Sequence, residues 1–302
     1  MKRQTLLRLI CYLLAVAVVF HIVDRVSGTV LERLLIQSEL RFSTAYRGGL
    51  DAEILLLGNS RAVNAFYAPK ISEATGKSVF HLGYNGMSME VAEALYEDFV
   101  VRNEVPRLLV IEITNLGDSN QLVRDLKPYI GSSKRLTELL KGEDPVIYGA
   151  TRLSHLFRYN SELYLRALFY LRRNDQSWIN NRSLASEAIV SMVPDAWQHE
   201  SNMLRMDREN GAALLRLLQR CAVHGTNVSL VISPYLPNYI DGLENFDTWL
   251  SNLEASLPEN AQLFNFSRAL LEPEHFADQL HANKAGSIKL FDTMEAAGVF
   301  DF

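Results

Sequence analysis

The sequence predicts an α/β fold, with a parallel sheet covered by helices on both faces. Five short apolar runs predict strands over residues 54–57, 78–82, 108–113, 228–232 and 262–266. Between these runs, apolar residues recur at helical spacing, as over 88–104 and 207–225. Strands that alternate with helices favour parallel pairing, because a parallel crossover needs a connection about as long as a helix.

The N-terminus carries a different pattern. Residues 6–23 are nearly all apolar apart from Arg8 and His21, and about 20 such residues span a bilayer. Residues 1–23 contain three basic side chains and no acidic one, which predicts that the short N-terminal flank stays in the cytoplasm. A cleaved signal peptide is the alternative, but Asp24 and Arg25 follow where a small-x-small cleavage site is expected, which favours an uncleaved anchor.

These patterns divide the chain into three segments. Residues 1–23 are predicted to form the membrane anchor, and residues 24–50 an amphipathic stalk that ends at a pair of glycines. Residues 51–302 are predicted to form the folded domain. Within this domain, residues from about 119 to 206 lack a strand pattern and predict a helical insertion. It would serve as a cap over apolar surface, as a lid or acceptor-binding wall, or as both.

Composition excludes several classes of function. The chain of 302 residues has a formal net charge of −5, so it lacks the basic surface of a nucleic-acid-binding protein. Its two cysteines, Cys11 and Cys221, predict neither a disulfide framework nor a cysteine metal site. No phosphate-binding loop or dinucleotide fingerprint occurs, so we expect no cofactor and no metal.

The stretch LLLGNSRA places Ser60 just beyond the first predicted strand. In open parallel sheets, ligands bind outside the carboxyl ends of the strands. A serine hydroxyl is a weak nucleophile that needs a histidine base, and this base is usually oriented by a carboxylate. Asp278 and His281, in the late stretch DQLHANKAG, are three residues apart just before a helix predicted to begin near Asn283, so this spacing brings carboxylate and imidazole together.

The early LLLGNSRA and the late DQLHANKAG together resemble the SGNH, or GDSL-like, hydrolase superfamily. The resemblance spreads over residues 54 to 294 in the family's order, and Asn59 stands where the family has aspartate. It implies a flavodoxin-like sheet of about five strands in an SGNH-type three-layer α/β/α fold. It also implies that Ser60 is the nucleophile, His281 the base and Asp278 the carboxylate that orients it.

The resemblance further implies an oxyanion hole. Its donors would be the backbone N–H groups of Ser60 and Gly86 and the side chain of Asn115, while Gly83 is better explained by turn formation. The third block departs from the family, because Ile113 replaces the glycine expected two residues before Asn115. Arg61, directly after the serine, is predicted either to bind an anionic substituent or to pair with a carboxylate such as Glu112.

A serine, a histidine base and an oxyanion hole together predict acyl transfer, either to water as an acetylesterase or to a sugar hydroxyl as an O-acetyltransferase. By resemblance to membrane-tethered SGNH proteins, the substrate would be an acylated glycan of the cell envelope or an exopolysaccharide, or a small acyl ester. The domain would lie in the periplasm of a bacterium, anchored in the inner membrane by residues 6–23, and a multi-pass acyl exporter could be a partner. A non-catalytic glycan-binding or scaffold protein is the alternative.

Overall fold

The computed structural model describes residues 3–117, 119–184, 203–258 and 261–302, apart from the side chains of Arg3 and Asn115. The chain divides into two compact units. The helical unit consists of Met1–Arg47 and Val123–Arg173, and the sheet unit of Gly48–Leu122 and Asn174–Phe302. The predicted segment boundaries at residues 23, 50, 119 and 206 stay predictions.

The sheet unit contains five parallel strands in the order β2-β1-β3-β4-β5. They are β1 (Ile54–Leu57), β2 (Val79–His81), β3 (Leu108–Glu112), β4 (Asn227–Ile232) and β5 (Gln262–Asn265). This is the flavodoxin-like strand order: β2 lies on one side of β1 and β3 on the other, so the order in which strands are added to the sheet reverses at β1. The predicted fold class is therefore confirmed, and the carboxyl ends of β1 and β3 form the edge where a ligand site is expected.

In chain order, the helices of the described residues lie before β1, between the strands, or after β5. They are α1 (Arg3–Gln37), α2 (Arg41–Arg47), α3 (Ser60–Ala65), α4 (Ala68–Thr75), α5 (Met89–Arg102), α6 (Leu122–Asp125), α7 (Lys134–Glu143), α8 (Pro145–Leu153), α9 (Glu162–Phe169), α10 (Arg208–His224), α11 (Pro237–Asp241), α12 (Phe246–Ser256) and α13 (Lys284–Ala296). Short 3₁₀ turns lie at Thr114–Gly117, Lys127–Tyr129, Leu156–Tyr159 and Pro273–His275.

Helices cover both faces of the sheet. Residues of β1 and β3 alternate between the faces, as they must in a strand, and every residue of both strands is buried. Ile54 and Leu56 join a core cluster with side chains of α3, α4 and α13, including Leu290 and Phe291. On the other face α5 packs against α10. The result is a three-layer α/β/α arrangement.

The helical unit contains α1, α2 and the helices α7 to α9. Within the described residues, α1 is the one helix long and apolar enough to cross a membrane, as an anchor or as a signal sequence. Its C-terminal part and α2 pack onto the insertion: the Ser43 hydroxyl hydrogen-bonds the Tyr129 hydroxyl at 2.8 Å, and the rings of Tyr46 and Tyr129 stack at 5.1 Å. Residues 24–47 thus belong to one folded unit with residues 123–173.

Candidate active site

Ser60 lies at the first position of α3, three residues beyond the end of β1. Gly58 makes this tight connection at φ +127°, a conformation that favours glycine. A Cβ at Gly58 would meet Ala62 Cβ at 2.8 Å and the Glu112 carbonyl oxygen at 2.9 Å, so the position has no room for a side chain. Asn59 caps α3, since its Oδ1 accepts the Arg61 N–H at 2.9 Å. Aspartate caps helices equally well, so asparagine at this position keeps the same local structure.

The structure brings together the three residues that the sequence singled out. Ser60 Oγ lies 2.7 Å from His281 Nε2. On the other side of the imidazole, Nδ1 lies 2.9 Å from each carboxylate oxygen of Asp278. With the proton on Nδ1, the carboxylate accepts it, and Nε2 is left as an acceptor for the serine hydroxyl. This is the geometry that a serine nucleophile, its general base and an orienting carboxylate require.

A short loop holds Asp278 and His281 in place. The carboxylate oxygen Oδ1 of Asp278 accepts the backbone N–H groups of Leu280 at 2.9 Å and His281 at 3.0 Å. The carbonyl oxygen of His281 accepts the Ala277 N–H at 2.8 Å, which closes the loop. Helix α13 then begins behind a cap formed by Asn283, as the sequence predicts. The loop's own backbone therefore fixes the carboxylate that faces the imidazole.

Asp278 is ionised in this arrangement. Partial burial raises the pKa of its carboxyl group, but hydrogen bonds from the His281 imidazole and from the N–H groups of Leu280 and His281 lower it by more. The net pKa lies below its ordinary value. The Asp278 side chain is 54% exposed and that of His281 is 20% exposed, so water screens the carboxylate while the imidazole is largely enclosed.

Arg61 links the serine helix to the histidine loop. Its guanidinium pairs at 3.2 Å with the buried carboxylate of Glu112, which ends β3. This is one of the two partners that the sequence predicts for Arg61. The same guanidinium donates to the carbonyl oxygens of Leu280 at 2.8 Å and Ser233 at 2.5 Å. Leu280 directly precedes His281, and Arg61 directly follows Ser60. The Arg61 side chain therefore connects the backbone beside Ser60 to the backbone beside His281.

Further polar groups complete the surroundings of Arg61. Glu112 also accepts the hydroxyl groups of Thr114 at 2.8 Å and Ser233 at 3.0 Å. The guanidinium carbon of Arg61 lies 3.5 Å from the centroid of the Tyr235 ring. Burial of Tyr235 raises the pKa of its hydroxyl group to about 12. Sequence reasoning missed Ser233 and Tyr235, although they follow β4 directly, at the edge of the sheet where ligand sites lie.

The three predicted oxyanion donors have different surroundings. Gly86 occupies a turn at φ +70°, and within the described residues its N–H donates to no protein atom. Ser60 opens α3, where backbone N–H groups have no intrahelical partner. The backbone of Asn115 lies in the 3₁₀ turn after β3, but its side chain lies outside the described part of the chain. The N–H of Gly83 donates to Leu56 O, which agrees with a turn role.

The aromatic residues of the insertion are divided between packing and exposure. Tyr159 and Tyr164 are buried, with ring centroids 5.2 Å apart, so they pack the helical unit. Trp178, in the sheet unit, keeps 47% of its exposure. Within the described ranges, no group of three or more His, Cys, Asp or Glu side chains is arranged to hold a metal ion.

Comparisons with known proteins give structural matches at low sequence identity. No protein-family model and no curated protein matches this sequence at a significant level. A solved structure named provisionally as a platelet activating factor from Streptococcus pneumonia superposes with a TM-score of 0.43 at 14% identity, covering 90% of this chain and 98% of that one. A chain named provisionally as an acylhydrolase from Bacteroides fragilis gives a TM-score of 0.40 at 9% identity, covering 82% of this chain and 85% of its own.

Proposed function

We propose that this protein is a serine-dependent acyl-transfer enzyme, an acetylesterase or an O-acetyltransferase, with Ser60 as nucleophile. The observation that carries the proposal is the hydrogen bond of 2.7 Å between Ser60 Oγ and His281 Nε2, with Asp278 at the opposite ring nitrogen. The two groups lie within the range at which a base takes a proton from a hydroxyl. Sequence spacing alone would not bring residues 221 positions apart to this distance.

In the proposed reaction, Ser60 Oγ attacks the carbonyl carbon of an acyl ester while His281 Nε2 takes the hydroxyl proton. Asp278 stabilises the imidazolium that forms, and it keeps the proton of Nδ1 in place. The N–H groups of Ser60 and Gly86, with Asn115, are proposed to bind the oxyanion. The imidazolium gives its proton to the departing alcohol, which leaves an acyl group on Ser60. Water or an acceptor hydroxyl then attacks this acyl-enzyme with His281 again as base, and Ser60 is regenerated.

The proposed setting is the envelope of a bacterium. An apolar N-terminal helix preceded by basic residues supports an inner-membrane anchor over residues 6–23 with a cytoplasmic N-terminus, and hence a periplasmic catalytic domain. The proposed substrate is an acylated envelope glycan or exopolysaccharide, with a multi-pass acyl exporter as a candidate partner. The support for this substrate is the likeness in architecture to membrane-tethered SGNH proteins.

One observation favours the alternative, a non-catalytic glycan-binding or scaffold protein. Ile113, which is completely buried, stands two residues before Asn115, where the resemblance expects a glycine, and this departure weakens the case for Asn115 as the third oxyanion donor. Losing one such donor typically costs about 100-fold to 1000-fold in rate. Such a loss slows an enzyme but leaves the acyl-enzyme detectable, so the two functions can be separated by experiment.

The experiment is hydrolysis of p-nitrophenyl acetate by the full chain in detergent micelles, with intact mass spectrometry to detect an acetyl-enzyme. The full chain is needed because the C-terminal part of α1 packs into the helical unit. We expect Ser60→Ala to lower kcat by at least about 10⁴-fold and to abolish the acetyl adduct. Ser256→Ala, which removes a hydroxyl at the end of α12, is the matched control and should keep full activity. If wild type and Ser60→Ala were equally inert and unlabelled, the binding function would replace the enzymatic one. If the wild type is active, added oligosaccharides distinguish a transferase, which acylates them, from an esterase, which does not.

A further inference from the structure

The exposed side of α8 is apolar, whereas a helix on a soluble protein normally turns its polar side outward. Val146 keeps 81% of its exposure and Leu153 keeps 82%. The exposed residues recur at helical spacing through the helix and into the following turn, and we call them the outer face of α8: Pro145, Val146, Gly149, Arg152, Leu153 and Leu156. Arg152 is the one charged residue of this face, so α8 presents a nearly apolar surface away from its own unit.

The exposure of α1 changes abruptly at one residue. Residues 4–23 are all exposed. Asp24 is the first buried residue and is only 7% exposed. From there on α1 packs into the helical unit, and Gly28 approaches His155 so closely that a Cβ would meet the His155 Cβ at 2.6 Å. Residue 24 therefore marks the level at which protein contacts around α1 begin and the proposed membrane span ends.

The turn that follows α8 lies at that same level. The Asp24 carboxylate accepts the Ser154 hydroxyl at 2.5 Å and the backbone N–H groups of His155 at 2.8 Å and Leu156 at 3.1 Å. These three bonds fix the C-terminal end of α8 beside the first residue after the apolar span. Leu153 directly precedes Ser154 and Leu156 follows it by two residues, so these apolar residues of the outer face lie next to the end of the anchor.

Basic groups accompany these apolar residues. Arg152 is exposed on the outer face, and Arg25 on α1 donates to its carbonyl oxygen at 3.5 Å. Arginine side chains at a membrane surface extend their charged ends to phosphate groups while their stems remain in apolar surroundings. An exposed apolar face with arginine is typical of a helix that lies in the interface between lipid and water.

We propose that the outer face of α8 rests in the headgroup region of the lipid bilayer that α1 crosses. Val146, Leu153 and Leu156 would contact the upper acyl chains, and Arg152 would bind lipid phosphate. Continuity with the anchor selects lipid over a protein partner, because the bonds to Asp24 hold the end of α8 at the bilayer boundary. The inference rests on the proposed membrane anchor, and it adds a second contact that fixes the orientation of the helical unit on the membrane.

The experiment measures the depth of single nitroxide labels by electron paramagnetic resonance. The full chain carrying Cys11→Ser is labelled at Leu153→Cys or Val146→Cys and reconstituted into vesicles of phosphatidylcholine and phosphatidylglycerol that contain no other protein. Cys221 is buried and should not react, and the chain with Cys11→Ser alone checks this. Collision with oxygen, which concentrates in lipid, is compared with collision with a water-soluble nickel complex.

Two further labels provide the references. Val16→Cys lies in the apolar span and reports lipid if α1 is an anchor. Phe169→Cys is the matched control: this residue is exposed in the same unit, beside Tyr170, whose carbonyl oxygen accepts the Glu39 N–H. Glu39 follows Asp24 by 15 residues, or roughly 20 Å of helical rise, so position 169 should lie in water.

The proposal predicts that the oxygen-to-nickel ratio at positions 146 and 153 shifts toward that at position 16, while position 169 remains water-like. If position 16 reports lipid but position 146 or 153 reports water, the outer face does not contact the bilayer and the inference is overturned while the anchor stands. This includes the case in which the face binds a protein partner, since none is present. If position 16 also reports water, the anchor itself is wrong and the inference fails with it.

Discussion

The sheet unit and the helical unit each contain an aspartate that accepts two backbone N–H groups and one side-chain partner. Asp278 receives the N–H groups of Leu280 and His281, and Asp24 those of His155 and Leu156. The third partners differ: it is the His281 imidazole for Asp278 and the Ser154 hydroxyl for Asp24. The same capping chemistry therefore orients the proposed base in one unit and joins two helical segments in the other. The third partner and the exposure of the carboxylate decide which role results.

Of the changes at the two aspartates, Asp278→Asn has the larger expected effect. The amide can still accept backbone N–H groups, but it would offer an N–H to Nδ1 of His281 and so favour the wrong tautomer, which lowers kcat by about 10⁴-fold in a triad. Stability should change by less than about 1 kcal/mol, because the carboxylate is half exposed. Steady-state ester hydrolysis and thermal unfolding measure the two quantities.

Asp241→Asn is the matched control for this substitution. Asp241 pairs with Arg268 on the surface of the sheet unit, with 60% of its side chain exposed, and its replacement should leave kcat and stability unchanged. A loss of less than tenfold in Asp278→Asn would mean that the carboxylate does not orient the base. Asp278 would then have the same structural role as Asp24.

Arg61→Gln is expected to have the next largest effect. It breaks the buried pair with Glu112, which typically costs about 3–5 kcal/mol, and it releases the carbonyl oxygen of Leu280. Because His281 follows Leu280, the imidazole should lose its alignment, and a misplacement of about 1 Å can cost about 100-fold in rate. We expect kcat to fall and KM to change little, measured below the unfolding temperature.

Arg216→Gln separates alignment from stability. Arg216 donates two hydrogen bonds, of 2.8 and 2.7 Å, to the buried carboxylate of Glu93, and this pair joins α10 to α5 on the other face of the sheet. Its loss should lower stability without changing kcat of the folded protein. An equal fall of kcat in both variants would show that Arg61 acts only through stability.

Much of the fold was predictable because the strands of a doubly covered sheet are continuous apolar runs. The range 54–57 matches β1, and the other predicted strands differ from the observed ones by one residue at one or both ends. The pairing of Asp278 with His281 was also predictable, since three residues of separation fit within one turn. The distance between this pair and Ser60 depends on the order of the strands in the sheet. Only the family resemblance, and not the spacing of the residues, predicted that order.

Other contacts leave no signal in the sequence. Arg61 bonds the carbonyl oxygens of Leu280 and Ser233, and backbone acceptors are present at every residue, so no side-chain pattern reveals them. Asp24 could be interpreted from the sequence only as a residue unsuited to a cleavage site. Its bonds to the turn after α8 join segments 130 residues apart, and they depend on how the insertion folds back.

Asp24→Asn should have the reverse effect of Asp278→Asn. It weakens three charge-assisted hydrogen bonds and should destabilise the helical unit by about 2 kcal/mol, while kcat of the folded protein is unchanged. Burial raises the pKa of Asp24, but the bonds from Ser154, His155 and Leu156 and the charge of Arg25 lower it by more, to about 2.

The pH dependence of stability tests this assignment. Because the folded pKa lies below the unfolded value of 3.8, the stabilisation is fully present above about pH 4 and is lost as the pH falls toward 2. Thermal unfolding of both proteins between pH 7 and pH 2 should therefore show a difference that shrinks with acid. A difference that stays constant over this range would mean that the charge of Asp24 contributes nothing.

Ser154→Ala removes only the third partner of Asp24 and is expected to have the smallest effect. The two backbone N–H groups still bind the carboxylate, so the loss is that of one hydrogen bond to a charged group, about 1.5 kcal/mol in unfolding free energy. His281→Ala removes the third partner of Asp278 and should abolish turnover, while the free energy of unfolding changes little.

A double-mutant cycle over Asp24→Asn and Ser154→Ala, measured by thermal unfolding, gives the coupling between the Asp24 carboxylate and the Ser154 hydroxyl. Strict additivity would contradict the direct bond, whereas a coupling near the single-variant loss would show that this third partner serves stability alone.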